Sequence, residues 1–135
     1  MRCIKNLKVP NIRFMIVDVD WFFDRLFVPA SFDKVVINFP DPWPKERHHK
    51  HRFLTQQFVA ALTDVVKPGG HLEFGTDFWP YMQEGMHNIA ASGFWLNING
   101  PGVILKEIEA RPKSYFETLK KSEGENVYFC QFKKK

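Results

Sequence analysis

NFPDPWPK, residues 38–45, ends one strand and forbids its continuation. The preceding KVVINF run (34–39) is apolar enough for a buried strand, and Pro40, Pro42 and Pro44 then remove the N–H groups that a ladder needs. The chain therefore leaves a sheet at the carboxyl end of a strand, where open α/β sheets place their ligand crevice. The prolines hold Asp41 and Trp43 in a preset extended shape, so little ordering remains to be done on binding. Asp41 offers only acceptor oxygens, and Trp43 a stacking face with one donor. That pair suits a planar base whose edge carries N–H groups.

ERHHKHR (46–52) follows directly, so Lys45, Arg47, Lys50 and Arg52 stand beside the aromatic loop with His48, His49 and His51 among them. Fixed positive charge next to an aromatic loop is what a phosphate-contacting rim requires. A metal site is not expected, because adjacent histidines point apart on a helix and no carboxylate or Cys completes a ligand set. Leu54, Phe58, Ala61, Leu62 and Val65 predict a helix over 50–66, which KPGG (67–70) stops and turns. A strand follows at 71–76. Met82, Gly85, Met86, Ile89 and Ala90 predict another helix, with Gly93 just past its end. Short strands are expected near 94–98 and 126–132, and loop over 99–113. Upstream, IRFMIV (12–17) reads as a buried strand ending at Asp18, and 20–27 as a short helix carrying Trp21, Phe22, Leu26 and Phe27. Strands alternating with helices predict an α/β domain on a largely parallel sheet.

The chain has 135 residues, 44% of them hydrophobic and 14 of them Phe, enough for one modest core. Its net charge of +4 points weakly to a polyanionic partner. Cys3 and Cys130 lie far apart with no CxxC spacing, which predicts reduced thiols rather than a disulfide framework. No apolar run is long enough to cross a membrane and the first residues show no signal-peptide pattern, so the expected compartment is the cytoplasm.

The run 38–52 resembles the signature of the bacterial tRNA (guanine-N7)-methyltransferases. GTDFWPY (75–81) resembles that family's Thr-Asp segment. RPKSYFE (111–117) resembles its Arg-Pro-x-Thr-x-Phe-Glu segment, with Ser114 in place of the usual Thr. NIRFMIVD (11–18) resembles its third strand, with Val17 replacing the Gly before Asp18. The resemblance implies an S-adenosylmethionine-dependent enzyme acting on tRNA. It implies that Asp18 and Asp41 face the cofactor, with Asp41 also catalytic. Lys45, Asp77 and the segment Ser114, Tyr115, Phe116 and Glu117 would then face the substrate.

Plainer readings exist for several of these residues. Asp18 and Asp77 could each cap the helix that follows, and Glu117 could be a surface carboxylate. No Gly-x-Gly turn precedes the first strand, and residues 1–9 correspond at most to the helix after the family's second strand. The expected architecture over 1–135 is thus one truncated domain, an incomplete Rossmann-like class I methyltransferase sheet with flanking helices and its first two strands missing. Its S-adenosylmethionine site would be incomplete, and its open sheet edges would favour self-association or a complementing chain. Three alternatives stand beside this one: a non-catalytic tRNA-binding remnant, a structural fragment without function of its own, and an amino-group methyltransferase. Asp41 and the lack of consecutive prolines count against the last.

Overall fold

The computed structural model describes residues 10–109 and 111–135. Helix α1 (Val19–Leu26) is followed by β1 (Phe32–Asn38), a 3-10 turn (Glu46–His51) and helix α2 (Gln56–Val65). Then come β2 (Val66–Thr76), α3 (Trp79–Ala91), β3 (Trp95–Asn97), α4 (Tyr115–Ser122) and β4 (Tyr128–Lys134). The strands form one sheet in the order β1-β2-β4-β3, with β1 and β2 parallel and β4 antiparallel to both its neighbours. The expected largely parallel sheet is therefore a mixed one. β1 and β2 are the one directly paired parallel couple, joined through α2, while β4 enters between β2 and β3 in the opposite sense.

The predicted helix over 50–66 is broken. Phe53 and Leu54 donate their backbone N–H groups to the Tyr81 hydroxyl at 2.9 and 3.3 Å, so neither can serve an uninterrupted helix. The helix restarts where Thr55 caps it by accepting from the Phe58 N–H at 3.2 Å. KPGG does not end a segment in a free turn either. It is a bulge inside β2, across which the register with β1 jumps from Phe32–Val66 to Lys34–His71. Gly70 is required there, because a Cβ would lie 2.9 Å from the Lys67 carbonyl oxygen and 3.0 Å from that of Asp33. Lys134 closes the end of α2 by donating to the carbonyls of Thr63 and Val66 at 2.6 and 2.9 Å.

The strand expected at 12–17 is absent. Residues 12–18 carry no regular structure, and Ile16 is 92% exposed. An apolar run is buried in a sheet only where a neighbouring strand accepts its hydrogen bonds, and the outer edge of β1 meets no other strand among the described residues. In α1, Phe23 is buried edge-on against Phe27 and Phe58; the expected contribution of Trp21 and Phe22, like that of residues 1–9, lies outside the described side chains. The expected strands at 94–98 and 126–132 are present as β3 and β4, and Gly93 takes its left-handed conformation just past α3 (φ 77°).

One core lies between the sheet and helices α1–α3, with Ile37, Leu72, Phe74 and Phe132 meeting Phe58, Leu62, Met82 and Ile89. A smaller cluster of Ile108, Val127 and Phe129 takes in Phe39 and Leu105. Gly85 lies at a tight point of the main core, where a Cβ would come within 2.8 Å of the Phe74 ring and 2.9 Å of Leu54. Helix propensity alone would make Gly85→Ala stabilising by about 1 kcal/mol. Overpacking costs about 1–3 kcal/mol and wins here. Urea unfolding of Gly85→Ala should show a net loss of stability, and an unchanged or higher midpoint would contradict this packing.

Candidate functional site

The parallel register places Asn38 opposite Gly75, so β1 and β2 release their loops side by side. Phe39 then donates its N–H to the Gly75 carbonyl at 2.7 Å, carrying the pairing one residue beyond the strand. Phe39 and Trp43 both have left-handed backbones, at φ 48° and 42°. Such conformations cost a side-chain-bearing residue about 1–3 kcal/mol and persist only where the surroundings hold them. The Trp43 indole meets the His48 and His51 rings at centroid distances of 5.6 and 5.2 Å, forming a small aromatic group above the 3-10 turn. Asp41 is exposed, and its one side-chain hydrogen bond among the described residues is a long one, accepted from the Trp43 N–H at 3.5 Å.

Arg52, expected on the phosphate rim, points inward and is 3% exposed. Its Nε donates to the Pro42 carbonyl at 2.9 Å and its Nη2 to that of Trp43 at 3.4 Å, while Nη1 pairs with Glu84. The guanidinium carbon lies 5.4 Å from the Tyr81 ring centre and 6.0 Å from that of Phe78. These partners replace the water that an exposed rim cation would keep. Lys45, Arg47 and Lys50 remain exposed, so the rim consists of three cations rather than four.

The Thr-Asp segment joins this loop from β2. Asp77 does not cap α3; it pairs with Lys120 of α4 at 3.3 Å. Ser114 caps α4, accepting from the Glu117 N–H at 3.1 Å. Tyr115 is 84% exposed, and Phe116 packs on Phe39 with ring centres 5.0 Å apart. Glu117 is no surface carboxylate, being 1% exposed beside Arg111 Nη2 and Lys121 Nζ, both at 3.2 Å. Arg111 Nε also meets the buried Glu73 at 2.6 Å, and Lys34 reaches Glu73 at 2.9 Å. The Arg111 contacts are close but not aligned as hydrogen bonds, so they act chiefly through charge.

The three motifs, more than seventy positions apart end to end, thus share one region at the carboxyl ends of β1 and β2. Asp18 sits at the first position before α1 without making a cap bond, and no hydrogen bond or ion pair joins it to this region among the described residues. Sequence reasoning did not anticipate α4, the inward turn of Arg52, or the Glu73–Arg111–Glu117 group. The spacing Ser114-x-x-Glu117 was the available signal for the helix start. A lone Glu within the apolar strand 71–76 was the signal for a buried cationic partner.

The fold is thus an α/β one, a mixed sheet with helices α1–α3 packed against it and the loops of β1 and β2 gathered at one end. The N-methyltransferase NodS of Bradyrhizobium japonicum, solved in complex with S-adenosyl-L-homocysteine, superimposes with a TM-score of 0.55 at 12% identity, over 98% of this chain and 59% of that one. The chain belongs to the family described as "Putative methyltransferase", whose model matches residues 1–130. It is 32% identical over 130 residues to a tRNA (guanine-N(7)-)-methyltransferase of Leptospira interrogans, and 34% identical over 136 residues to one of Chlamydia muridarum. These alignments take in 96% and 98% of this chain but 58% of each relative, so the chain spans little more than half the length of the relatives it matches.

S-adenosylmethionine needs acceptors for its adenosine end and donors for its carboxylate. Asp41 and Asp18 are exposed carboxylates, which offer acceptors only. The one glycine in the strand ends of this region, Gly75, lies against the Phe129 ring, where a Cβ would come within 2.6 Å, so no backbone cradle opens there. The described residues fit the cofactor only in part.

Two measurements check the geometry. Removing one member of a buried ion pair costs about 3–5 kcal/mol, so Glu117→Ala should lower unfolding free energy by several kcal/mol, where a surface carboxylate would change it by about 0.5 or less. The Tyr81 phenol is pushed above its ordinary value of 10.0, chiefly by burial. Its contribution to stability is therefore complete below pH 10 and is lost as pH rises through the raised value. Tyr81→Phe should flatten that alkaline fall in melting temperature; an unchanged slope would assign it to other groups.

Proposed function

We propose that residues 1–135 form a single domain of a tRNA (guanine-N7)-methyltransferase, contributing its substrate side, and that the protein works in the cytoplasm on a tRNA partner. The observation that carries this reading is the meeting of three separate motifs around Asp41, Asp77 and Phe116, beside an exposed basic turn. Lys45, Arg47 and Lys50 would contact phosphate and fix register. Trp43, with His48 and His51 against it, offers a face for a base, worth about 1–3 kcal/mol per stacked base. Asp41 is free of any cation among the described residues, so its carboxylate is available to a guanine N1–H and amino edge, or to the positive charge that N7 methylation creates. Asp77, Ser114, Tyr115 and Glu117 would act on substrate mainly by presenting α4 and its exposed Tyr115.

Guanine N7 already carries a free lone pair, so no general base is needed, and orientation is the protein's main contribution. S-adenosylmethionine, when bound, supplies an electrophilic methyl group on a sulfonium. Asp18 and Asp41 are the residues here that would face it.

The outer edge of β1 is the surface for a partner strand. Beside it lies an apolar cavity of about 340 Å³ lined by Phe23, Phe27, Phe32 and Val35, with Val36 exposed on the strand. Either a second copy or a complementing chain would pair there.

The test is methyl transfer from labelled S-adenosylmethionine to a tRNA transcript, measured alongside tRNA binding. Asp41→Ala should lower the transfer rate on the order of 10²-fold with little loss of tRNA affinity. Equal loss of both would reject the catalytic role of Asp41. A second reading, a tRNA-binding protein without catalysis, is favoured by the intact basic turn beside an incomplete cofactor fit. Tight tRNA binding with no transfer would select it.

A further inference from the structure

Three prolines in residues 40–44 leave that loop with few N–H donors, and its internal Trp43–Asp41 contact is stretched to 3.5 Å. A left-handed Trp43 next to Pro44 will not hold itself in place. Beside the ring contacts of Trp43 with His48 and His51, the hydrogen bonds that reach the loop from outside among the described residues come from Arg52, whose Nε and Nη2 donate to the two consecutive carbonyls of Pro42 and Trp43. A buried guanidinium is itself costly unless its charge and donors are met. Here Glu84 of α3 meets the charge, and Phe78 and Tyr81, at the start of the same helix, meet its faces. Tyr81 is held in turn by the Phe53 and Leu54 N–H groups, the residues directly after Arg52.

We propose that Arg52 is the positioning residue of the Asp41–Trp43 loop, and that Glu84 on α3 sets its orientation. Three nitrogens of one plane serve three partners in different directions. A lysine ammonium, a single point charge on a flexible stem, cannot do this. Arg52 is buried and its donors are engaged by the loop carbonyls and Glu84. It acts through the carbonyls on either side of the Trp43 peptide, which decide where the indole and the neighbouring carboxylate point. The effect on RNA rests on the functional reading above, whereas the effect on the loop does not.

The experiment uses the whole chain labelled with 5-fluorotryptophan, with the Trp43 fluorine resonance identified by its loss in Trp43→Phe. Trp95 is the internal control, since it is buried and donates to Thr63 at 2.9 Å in a different part of the core. In Arg52→Lys the Trp43 resonance should shift or broaden while that of Trp95 stays in place. Affinity for a tRNA transcript should fall about tenfold, the loss expected when a stacking face is misplaced. Glu84→Gln, which retains Arg52, should move the Trp43 resonance in the same direction by a smaller amount. It also decides the matter if Arg52→Lys disturbs Trp95 as well. An unmoved Trp43 resonance in folded variants would overturn the proposal and return Arg52 to a packing role. Failure of the parent chain to bind tRNA would instead count against the functional reading, with the fluorine comparison still deciding the role of Arg52.

Discussion

The parallel ladder between β1 and β2 is the constraint on which the rest of the site depends. Its register brings Asn38 level with Gly75, and the Phe39 N–H extends it by one more bond to the Gly75 carbonyl. Parallel strands deliver their carboxyl ends to the same edge of a sheet, so the Pro-Asp-Pro-Trp loop and the Thr-Asp loop leave together. β4 then pairs with β2 from the other side, placing Tyr128 opposite Thr76 and Phe129 opposite Gly75. Phe129 meets Phe39 edge-on, and Phe39 meets Phe116 at a tilt, so α4 is brought to the same edge by a chain of ring contacts. A slip of one residue in the first ladder would turn the side chains of β1, and the approach of the loop after it, to the opposite face.

Charge buried between elements completes what the ladder begins. Arg52 joins the aromatic loop to α3, while Glu73, Arg111 and Glu117 join the sheet to α4 and the segment before it. Such groups contribute little net stability against an apolar filling, but removing one partner leaves a charge without water or counterpart. Their effect is to permit one geometry for segments that have little regular structure of their own. The residues with the plainest binding character, Asp41, Tyr115, Lys45, Arg47 and Lys50, are the exposed ones held outside this frame.

β1 is also an edge strand. The outer edge of β1 is unpaired among the described residues, and Ile12, Phe14, Met15 and Ile16 lie exposed nearby in sequence. Apolar side chains and open ladder groups on one side are what a further strand would cover.

By itself the sequence determined the alternation of strand and helix from β1 to β3, though not α4, because apolar residues at helical or strand spacing leave only one face to bury. It also determined the loop at 38–45, because prolines cannot join a ladder, and it marked the three motifs that meet at the sheet edge. It could not determine that residues 12–17 stay outside the sheet, since an apolar run reads as a buried strand whether or not a neighbour exists. Nor could it show that Arg52 turns inward while Arg47 turns out, or that Glu117 is buried and Asp77 pairs with Lys120. A basic run carries the same charges in either direction. Only the tertiary structure places carbonyls, a carboxylate and aromatic faces around one of those cations and water around the others, and that difference in surroundings decides which charge is structural and which is free to bind.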